Sequence, residues 1–167
     1  MQRRLSTGLA AAFAVAVFLV ATPALAQELP KGGMTADEIA AWLKRGGFKG
    51  EVMPDTTTPG DQMVATATDG VDVDIYLYQC AGDGAARRCE SIQYAMGWAP
   101  RPTFTAQKAN EWNAGNRYIK AYVTPKGSLF GEYDLDVNPG GTYAMLDDSL
   151  ANWRAMLAEF KKFFGPA

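Results

Sequence analysis

Two segments near the middle of the chain alternate apolar and polar residues with a period of two. This pattern is typical of β-strands that bury one face. The predicted inward residues are Val71, Val73, Ile75 and Leu77 in the first segment and Ile92, Tyr94, Met96 and Trp98 in the second. Because Cys80 and Cys89 lie between these segments, we predict an antiparallel hairpin that places the two cysteines opposite each other.

The alternation also predicts the register of this hairpin. With Cys80 opposite Cys89, each inward residue of one strand faces an inward residue of the other. The predicted pairs are Leu77–Ile92, Ile75–Tyr94, Val73–Met96 and Val71–Trp98. A shift by one residue would place apolar against polar side chains along the whole ladder.

The strongest helical pattern lies near the end of the chain, where apolar residues recur at steps of four and three. The resulting stripe consists of Leu146, Leu150, Trp153, Leu157, Phe160 and Phe164. Asp147 and Asp148 near its start, and Lys161 and Lys162 near its end, suit the helix dipole. We predict that this helix packs on the inner face of the sheet and covers Trp98, with a coiled coil as the alternative.

The segments before the hairpin carry cap and turn signals. The predicted elements are a helix capped by Thr35 and ended by Gly46-Gly47, strands over 48–53 and 63–68, and a tight turn at Asp69-Gly70. Thr35 and Glu38 together form a capping-box pattern. Asp-Gly favours a two-residue turn between paired strands.

A second helix and a second hairpin are predicted after Trp98. The helix is expected to begin at Thr103 or Thr105 and to end near Gly115, and Pro125-Lys126-Gly127 is expected to join the strands. On one face, this connection pairs Tyr122 with Phe130, Lys120 with Glu132, and Tyr118 with Asp134. On the other face, it pairs Val123 with Leu129, Ala121 with Gly131, and Ile119 with Tyr133.

Three asparagines, Asn110, Asn113 and Asn116, lie near the end of the second helix. They could bind a ligand, or they could cap the helix end and satisfy loop carbonyl groups. We favour the second interpretation.

Residues 1–26 have the pattern of a secretory signal peptide. The pattern consists of Arg3 and Arg4, an apolar run from Leu9 to Ala21, and the small-residue triplet Ala24-Leu25-Ala26. We expect cleavage after Ala26, which leaves residues 27–167 as a single periplasmic or secreted domain without a membrane anchor. A retained transmembrane helix is the alternative, and the absence of a second charged flank disfavours it.

Cys80 and Cys89 are the only cysteines in the sequence. In an exported protein, an even pair of cysteines predicts a disulfide. The matched strand patterns on either side favour the same pairing. A redox-active pair is the alternative, but two residues between the cysteines, rather than eight, would be typical of that function.

Charge and composition exclude several function classes. Removal of Arg3 and Arg4 with the signal peptide leaves 14 basic and 18 acidic residues, a net charge of −4. This balance argues against nucleic acid or an anionic membrane as the partner. The sequence contains no histidine, so it lacks the commonest general base and the commonest zinc ligand.

Several motifs together resemble the YbjN domain family over nearly all of residues 34–164. They are Thr35-Ala36-Asp37-Glu38-Ile39, Cys89-x-Ser91-Ile92-Gln93, Asn110-x-Trp112-Asn113 followed by Arg117 and Tyr118, and Leu146-x-x-Ser149-Leu150-x-x-Trp153. The resemblance implies an α+β domain, with an antiparallel sheet and helices packed on one face, similar to secretion-chaperone folds and often dimeric. Members are described as regulators of bacterial sensory transduction, but the export signal argues against a direct intracellular role for this chain.

Two classes of function remain open. The first is a non-enzymatic binding, adaptor or chaperone-like module in sensing or regulation, for which we expect no catalytic residue, cofactor or metal. The second is a small hydrolase that uses the carboxylates of Asp72 and Asp74, or a protein with a calcium site formed by Asp72, Asp74 and Asp134.

The predicted registers leave five aromatic residues on the sheet face away from the helices. They are Tyr76, Tyr78, Tyr118, Tyr122 and Phe130, interspersed with Asp72, Asp74, Glu132 and Asp134. Aromatic and acidic side chains on an uncovered sheet face are typical of a protein interface. We expect this face to bind a protein partner or a second copy of the chain, with ordinary cross-strand pairing as the alternative.

Overall fold

The structure is a computed structural model that describes residues 27–165. The expected signal peptide over residues 1–26 lies outside the described residues. Every helix in the described part of the chain is too short or too polar to cross a membrane.

Six antiparallel strands form one sheet in the order β1-β2-β3-β4-β6-β5. The strands are β1 (Glu51–Pro54), β2 (Gln62–Thr68), β3 (Val71–Ala81), β4 (Arg88–Trp98), β5 (Lys120–Val123) and β6 (Leu129–Asp136). The helices are α1 (Ala36–Arg45), α2 (Ala106–Gly115) and α3 (Tyr143–Phe164). The predicted α+β fold is therefore confirmed.

The helix caps and the tight turn that local sequence signals predict are present in the structure. The capping box of α1 forms between Thr35 and Glu38, and Thr105 rather than Thr103 caps α2. Asp69 and Gly70 form the tight turn between β2 and β3, and both have positive φ angles. The strand expected over 48–53 is shorter and begins at Glu51.

The predicted register of the β3–β4 hairpin is confirmed at Leu77–Ile92, Ile75–Tyr94 and Cys80–Cys89. The ladder ends at Asp74 and Ala95, so the predicted pairs Val73–Met96 and Val71–Trp98 do not form. Beyond this point β3 is paired with β2 and β4 with β6, and Trp98 packs against Phe104 and Phe160.

The Cys80–Cys89 disulfide is formed, and it lies on the helix side of the sheet. Strict alternation would place Cys80 on the same face as Tyr78, away from the helices. Gln79 interrupts the alternation because its φ angle is +55°. Cys89, which lies opposite Cys80, is buried, and its backbone exchanges two hydrogen bonds with Met34.

The core lies between the sheet and α1 and α3, and α2 packs beside β5. The residues predicted to be buried beneath the last helix are buried: Trp98, Leu150, Trp153, Leu157 and Phe160. The prediction that α3 packs on the sheet is therefore correct, and the coiled-coil alternative is wrong.

One buried polar link joins α3 to the centre of the sheet. The hydroxyl groups of Tyr94 and Ser149 lie 2.8 Å apart, and the Ser149 hydroxyl also donates to the carbonyl oxygen of Leu146. Because buried hydroxyl groups are costly without partners, this pair fixes the position of α3 over β4.

The asparagines near the end of α2 have structural roles. The Asn113 side chain exchanges two hydrogen bonds with the backbone of Ala121, and Asn116 donates to the carbonyl oxygen of Trp112. These bonds attach α2 to β5, so the structural interpretation of Asn113 and Asn116 is confirmed.

Candidate binding surface on the open sheet face

The sheet face opposite α1 and α3 is here called the open face. Alternation along β3, β5 and β6 points Tyr76, Tyr78, Tyr122 and Phe130 towards this side. These four residues line one concavity of about 320 Å³. Tyr78 and Tyr122 are 43% and 38% exposed, which leaves much of both side chains accessible to a partner.

Tyr118 is the exception among the five aromatic residues predicted for this face. β5 begins only at Lys120, so the predicted pairs Tyr118–Asp134 and Ile119–Tyr133 do not form. Tyr118 has a φ angle of +70°, and its ring contacts the edge of the Tyr133 ring at 5.5 Å. Tyr133 stacks on the core residue Tyr94. Tyr118 therefore lies by the sheet edge next to α2, outside the concavity.

The concavity depends on the pairing of β4 with β6. This pairing places Ala95 opposite Glu132 and Gly97 opposite Phe130. Because Ala95 and Gly97 have small side chains or none, they form a low floor between the aromatic residues of β3 and those of β5 and β6. Sequence reasoning missed this floor, although two small residues on the polar face of β4 were a usable signal.

Gly97 allows the Phe130 ring to lie over β4. A Cβ atom added at Gly97 would meet the Phe130 Cε1 atom at 2.8 Å. The Phe130 ring also stacks on Tyr122, with ring centres 5.3 Å apart and planes 10° apart. The expected cross-strand pairing of Tyr122 with Phe130 is therefore present, and it builds one wall of the concavity.

Glu132 is held by two groups of β5. One carboxylate oxygen lies 2.8 Å from the Lys120 Nζ atom, and the other accepts a hydrogen bond from the Tyr122 hydroxyl at 2.8 Å. Burial, the hydrogen bond to Glu132 and nearby charges raise the pKa of Tyr122 to about 12. This phenol therefore stays protonated and acts as a donor at neutral pH.

The phenol groups of β3 lie in the same electrostatic environment. Burial is the first cause that raises the pKa of Tyr76, and the neighbouring Asp74 carboxylate is the second. Burial also raises the pKa of Tyr78, with a smaller contribution from Glu132. Tyr76 and Tyr78 are also among the groups that raise the pKa of Tyr122, so the ionisation of these three phenols is coupled across the floor.

Asp74 differs from Glu132 because no cation or hydrogen-bond donor pairs with it among residues 27–165. It is half-buried between Ala65 and Ala95 in neighbouring strands. Burial, and then the charge of Asp72, raise the pKa of Asp74 above its usual range. Burying a carboxylate without a partner costs free energy, because the charge loses contact with water. A cation bound beside Asp74 would therefore be stabilised.

The acidic residues do not support the proposed calcium site. Asp134 accepts a hydrogen bond from Gln93 at 2.7 Å. In the described part of the chain, no three acidic or cysteine side chains are grouped so that they could hold a metal ion. The hypothesis of a calcium site at Asp72, Asp74 and Asp134 therefore gains no support. The hydrolase hypothesis gains no support either, since Asp72 is exposed and does not line the concavity with Asp74.

Comparisons with known proteins identify the fold and the family. A family model, YbjN, described as "Putative bacterial sensory transduction regulator", matches residues 35–166. No curated protein matches. The crystal structure of an uncharacterized protein from Methanothermobacter thermautotrophicus is similar, with a TM-score of 0.51 and 17% sequence identity over 78% of this chain and 96% of that chain. This likeness shows the fold alone.

Proposed function

Because the chain belongs to the YbjN family, we propose that it is a non-enzymatic binding or adaptor module in a regulatory pathway, and that the open face is its partner surface. The observation that carries this proposal is the concavity lined by Tyr76, Tyr78, Tyr122 and Phe130. Tyrosine is enriched in protein interfaces because its ring buries a large area while its hydroxyl group can still bond.

The charge of the open face favours a basic partner over a second copy of the chain. Asp74 and Glu132 line the concavity, and Lys120 already pairs with Glu132. A symmetric dimer through this face would bring like charges together, which is unfavourable. We therefore propose that the partner is a protein segment carrying basic and apolar side chains, and a homodimer is the competing outcome of the test.

We place this module in the periplasm or outside the cell. The signal-peptide pattern of residues 1–26 supports this location, and so does the disulfide, because such bonds persist in oxidising compartments. Gln27 is the first residue after the expected cleavage site. Its carbonyl oxygen accepts a hydrogen bond from the backbone N–H of Tyr143, so it contacts the first residue of α3.

Amino-terminal sequencing of the exported protein is expected to begin at Gln27. The physical reason is the small-residue triplet Ala24-Leu25-Ala26, which follows an apolar run. A sequence that begins at Met1 on exported protein would contradict both the cleavage site and the proposed compartment.

The partner surface can be tested by exchanging Tyr76 and Tyr122 together for serine. The double variant is expected to lose at least about 10-fold of its affinity for partners captured from the exported fraction, since it removes an aromatic residue from each wall of the concavity. Tyr118→Ser is the matched control, because Tyr118 is as exposed as Tyr78 but lies outside the concavity.

Circular dichroism and thermal unfolding would verify that both variants fold. Unchanged capture by the folded double variant would contradict the proposal. Sedimentation that showed dimers of the wild type but monomers of the double variant would replace the basic partner with self-association.

A further inference from the structure

We propose that the concavity of the open face binds the guanidinium group of an arginine side chain, with Asp74 as the counter-ion and with the tyrosine rings as stacking surfaces. This inference rests on the proposed function and states what the partner segment inserts. It follows from three properties of the concavity, namely an unpaired carboxylate, aromatic walls and a low floor.

The first property is a negative charge without a partner in the described chain. Of the two carboxylates in the concavity, Glu132 is compensated by Lys120 and by the Tyr122 hydroxyl. Asp55 contributes to the potential at Tyr76 and Tyr78, and its own carboxylate accepts two hydrogen bonds from Thr57. Within residues 27–165, the Asp74 carboxylate has neither a paired cation nor a hydrogen-bond donor. An incoming cation would therefore bind there.

The second property is the arrangement of the aromatic rings. Tyr76 and Tyr78 stand on β3, and the stacked rings of Tyr122 and Phe130 stand on the other side of β4. The faces of aromatic rings attract cations, most strongly where water is excluded. An ion bound at Asp74 therefore lies in a concavity that these rings also line.

The third property is the shape of the floor, which selects the kind of cation. Ala95 and Gly97 leave a depression of about 320 Å³ between the two aromatic walls. A guanidinium group is planar, stacks on rings, and can donate two parallel hydrogen bonds to one carboxylate. The ammonium group of lysine is more strongly hydrated than a guanidinium group, so it loses more hydration free energy when it enters a half-buried site. The geometry therefore favours arginine over lysine.

The test uses the mature protein, residues 27–167, and small probes observed by two-dimensional NMR. The probes are N-acetyl-arginine amide, the lysine analogue, and the citrulline analogue, which has nearly the shape of arginine without its charge. The arginine probe is expected to shift the backbone amide signals of Asp74, Ala95 and Tyr122 with a saturable, millimolar affinity. The lysine probe should bind several-fold more weakly, and the citrulline probe should not saturate.

Two isosteric variants identify the counter-ion. Asp74→Asn is expected to weaken arginine binding by about 10-fold, because it removes the charge and keeps the shape. Asp72→Asn makes the same charge change on the same strand, outside the concavity, and should alter the affinity by less than about 2-fold.

Equal binding of arginine and citrulline, equal binding of arginine and lysine, equal effects of the two variants, or absence of arginine binding would each overturn the inference. Its failure can be separated from failure of the proposed function. If partner capture depends on Tyr76 and Tyr122 but is the same for Asp74→Asn and Asp72→Asn, the open face is the partner surface and the arginine inference is wrong.

Discussion

Replacement of Trp153 by alanine is expected to lower the free energy of unfolding by about 3–5 kcal/mol, the range for large aromatic deletions in cores. The Trp153 side chain is fully buried, and its ring stacks on Tyr94 at 5.6 Å. Its indole nitrogen also donates to the hydroxyl of Thr68 at 3.3 Å. The substitution would therefore open a cavity and leave the Thr68 hydroxyl without its donor, at the point where α3 meets the sheet.

Urea unfolding of residues 27–167 provides the measurement. Phe163→Ala is a matched control on the same helix, because the Phe163 side chain is 36% exposed. Phe163→Ala should lower the free energy of unfolding by less than half as much as Trp153→Ala. The reason is that the Phe163 side chain buries less apolar area on folding. Equal losses for the two variants would mean that α3 is not anchored to the sheet through Trp153.

Replacement of Cys80 and Cys89 together by alanine is expected to cost about 2–3 kcal/mol, chiefly because the unfolded chain regains conformational freedom. The bond closes a loop between residues nine apart in sequence. It also supports the point at which the backbone of Met34 joins β4 through Cys89. Loosening of this point should therefore accompany the loss of stability.

The control for the disulfide is the wild-type protein treated with a reductant. Its stability should approach that of the double alanine variant, since both lack the same constraint. Thiol labelling of denatured, unreduced protein should detect no free cysteine. Two labelled thiols per chain, or a variant as stable as the oxidised wild type, would contradict this role of the bond.

Local patterns in the sequence predicted much of the fold. Period-two alternation, with Cys80 opposite Cys89, predicted the register of β3 and β4 correctly from Ile75–Tyr94 to Cys80–Cys89. The turn residues Pro125-Lys126-Gly127 gave the correct register of β5 and β6 from Lys120–Glu132 to Val123–Leu129. Such patterns predict register well because shifting a strand by one residue would expose its whole apolar face to water.

Single residues in the left-handed region explain two places where the strand alternation fails. Gln79 and Tyr118 have positive φ angles, which glutamine and tyrosine seldom adopt, so neither residue type signals the change. Gln79 turns the disulfide to the helix side of the sheet. Tyr118 lies outside β5, which begins at Lys120, and its ring contacts the ring of Tyr133.

The concavity of the open face could be predicted only in part from the sequence. The four aromatic residues follow from the two hairpin registers, which are local. Their convergence depends on the pairing of β4 with β6, which are separated along the chain by α2 and β5. Period-two patterns specify which face a residue takes but not which distant strand lies beside it. The floor at Ala95 and Gly97, and the isolation of Asp74 beside it, required the structure.

Hydroxyl-radical footprinting of the protein, free and bound to its captured partner, tests most directly whether the open face is the partner surface. The exposed aromatic residues provide their own controls, because Tyr78 and Tyr118 are each 43% exposed but lie in different places. We predict that the partner lowers the oxidation of Tyr76, Tyr78 and Tyr122 several-fold and leaves Tyr118 and Phe163 unchanged. Protection of Tyr118 or Phe163, with Tyr76, Tyr78 and Tyr122 oxidised as in the free protein, would contradict the account.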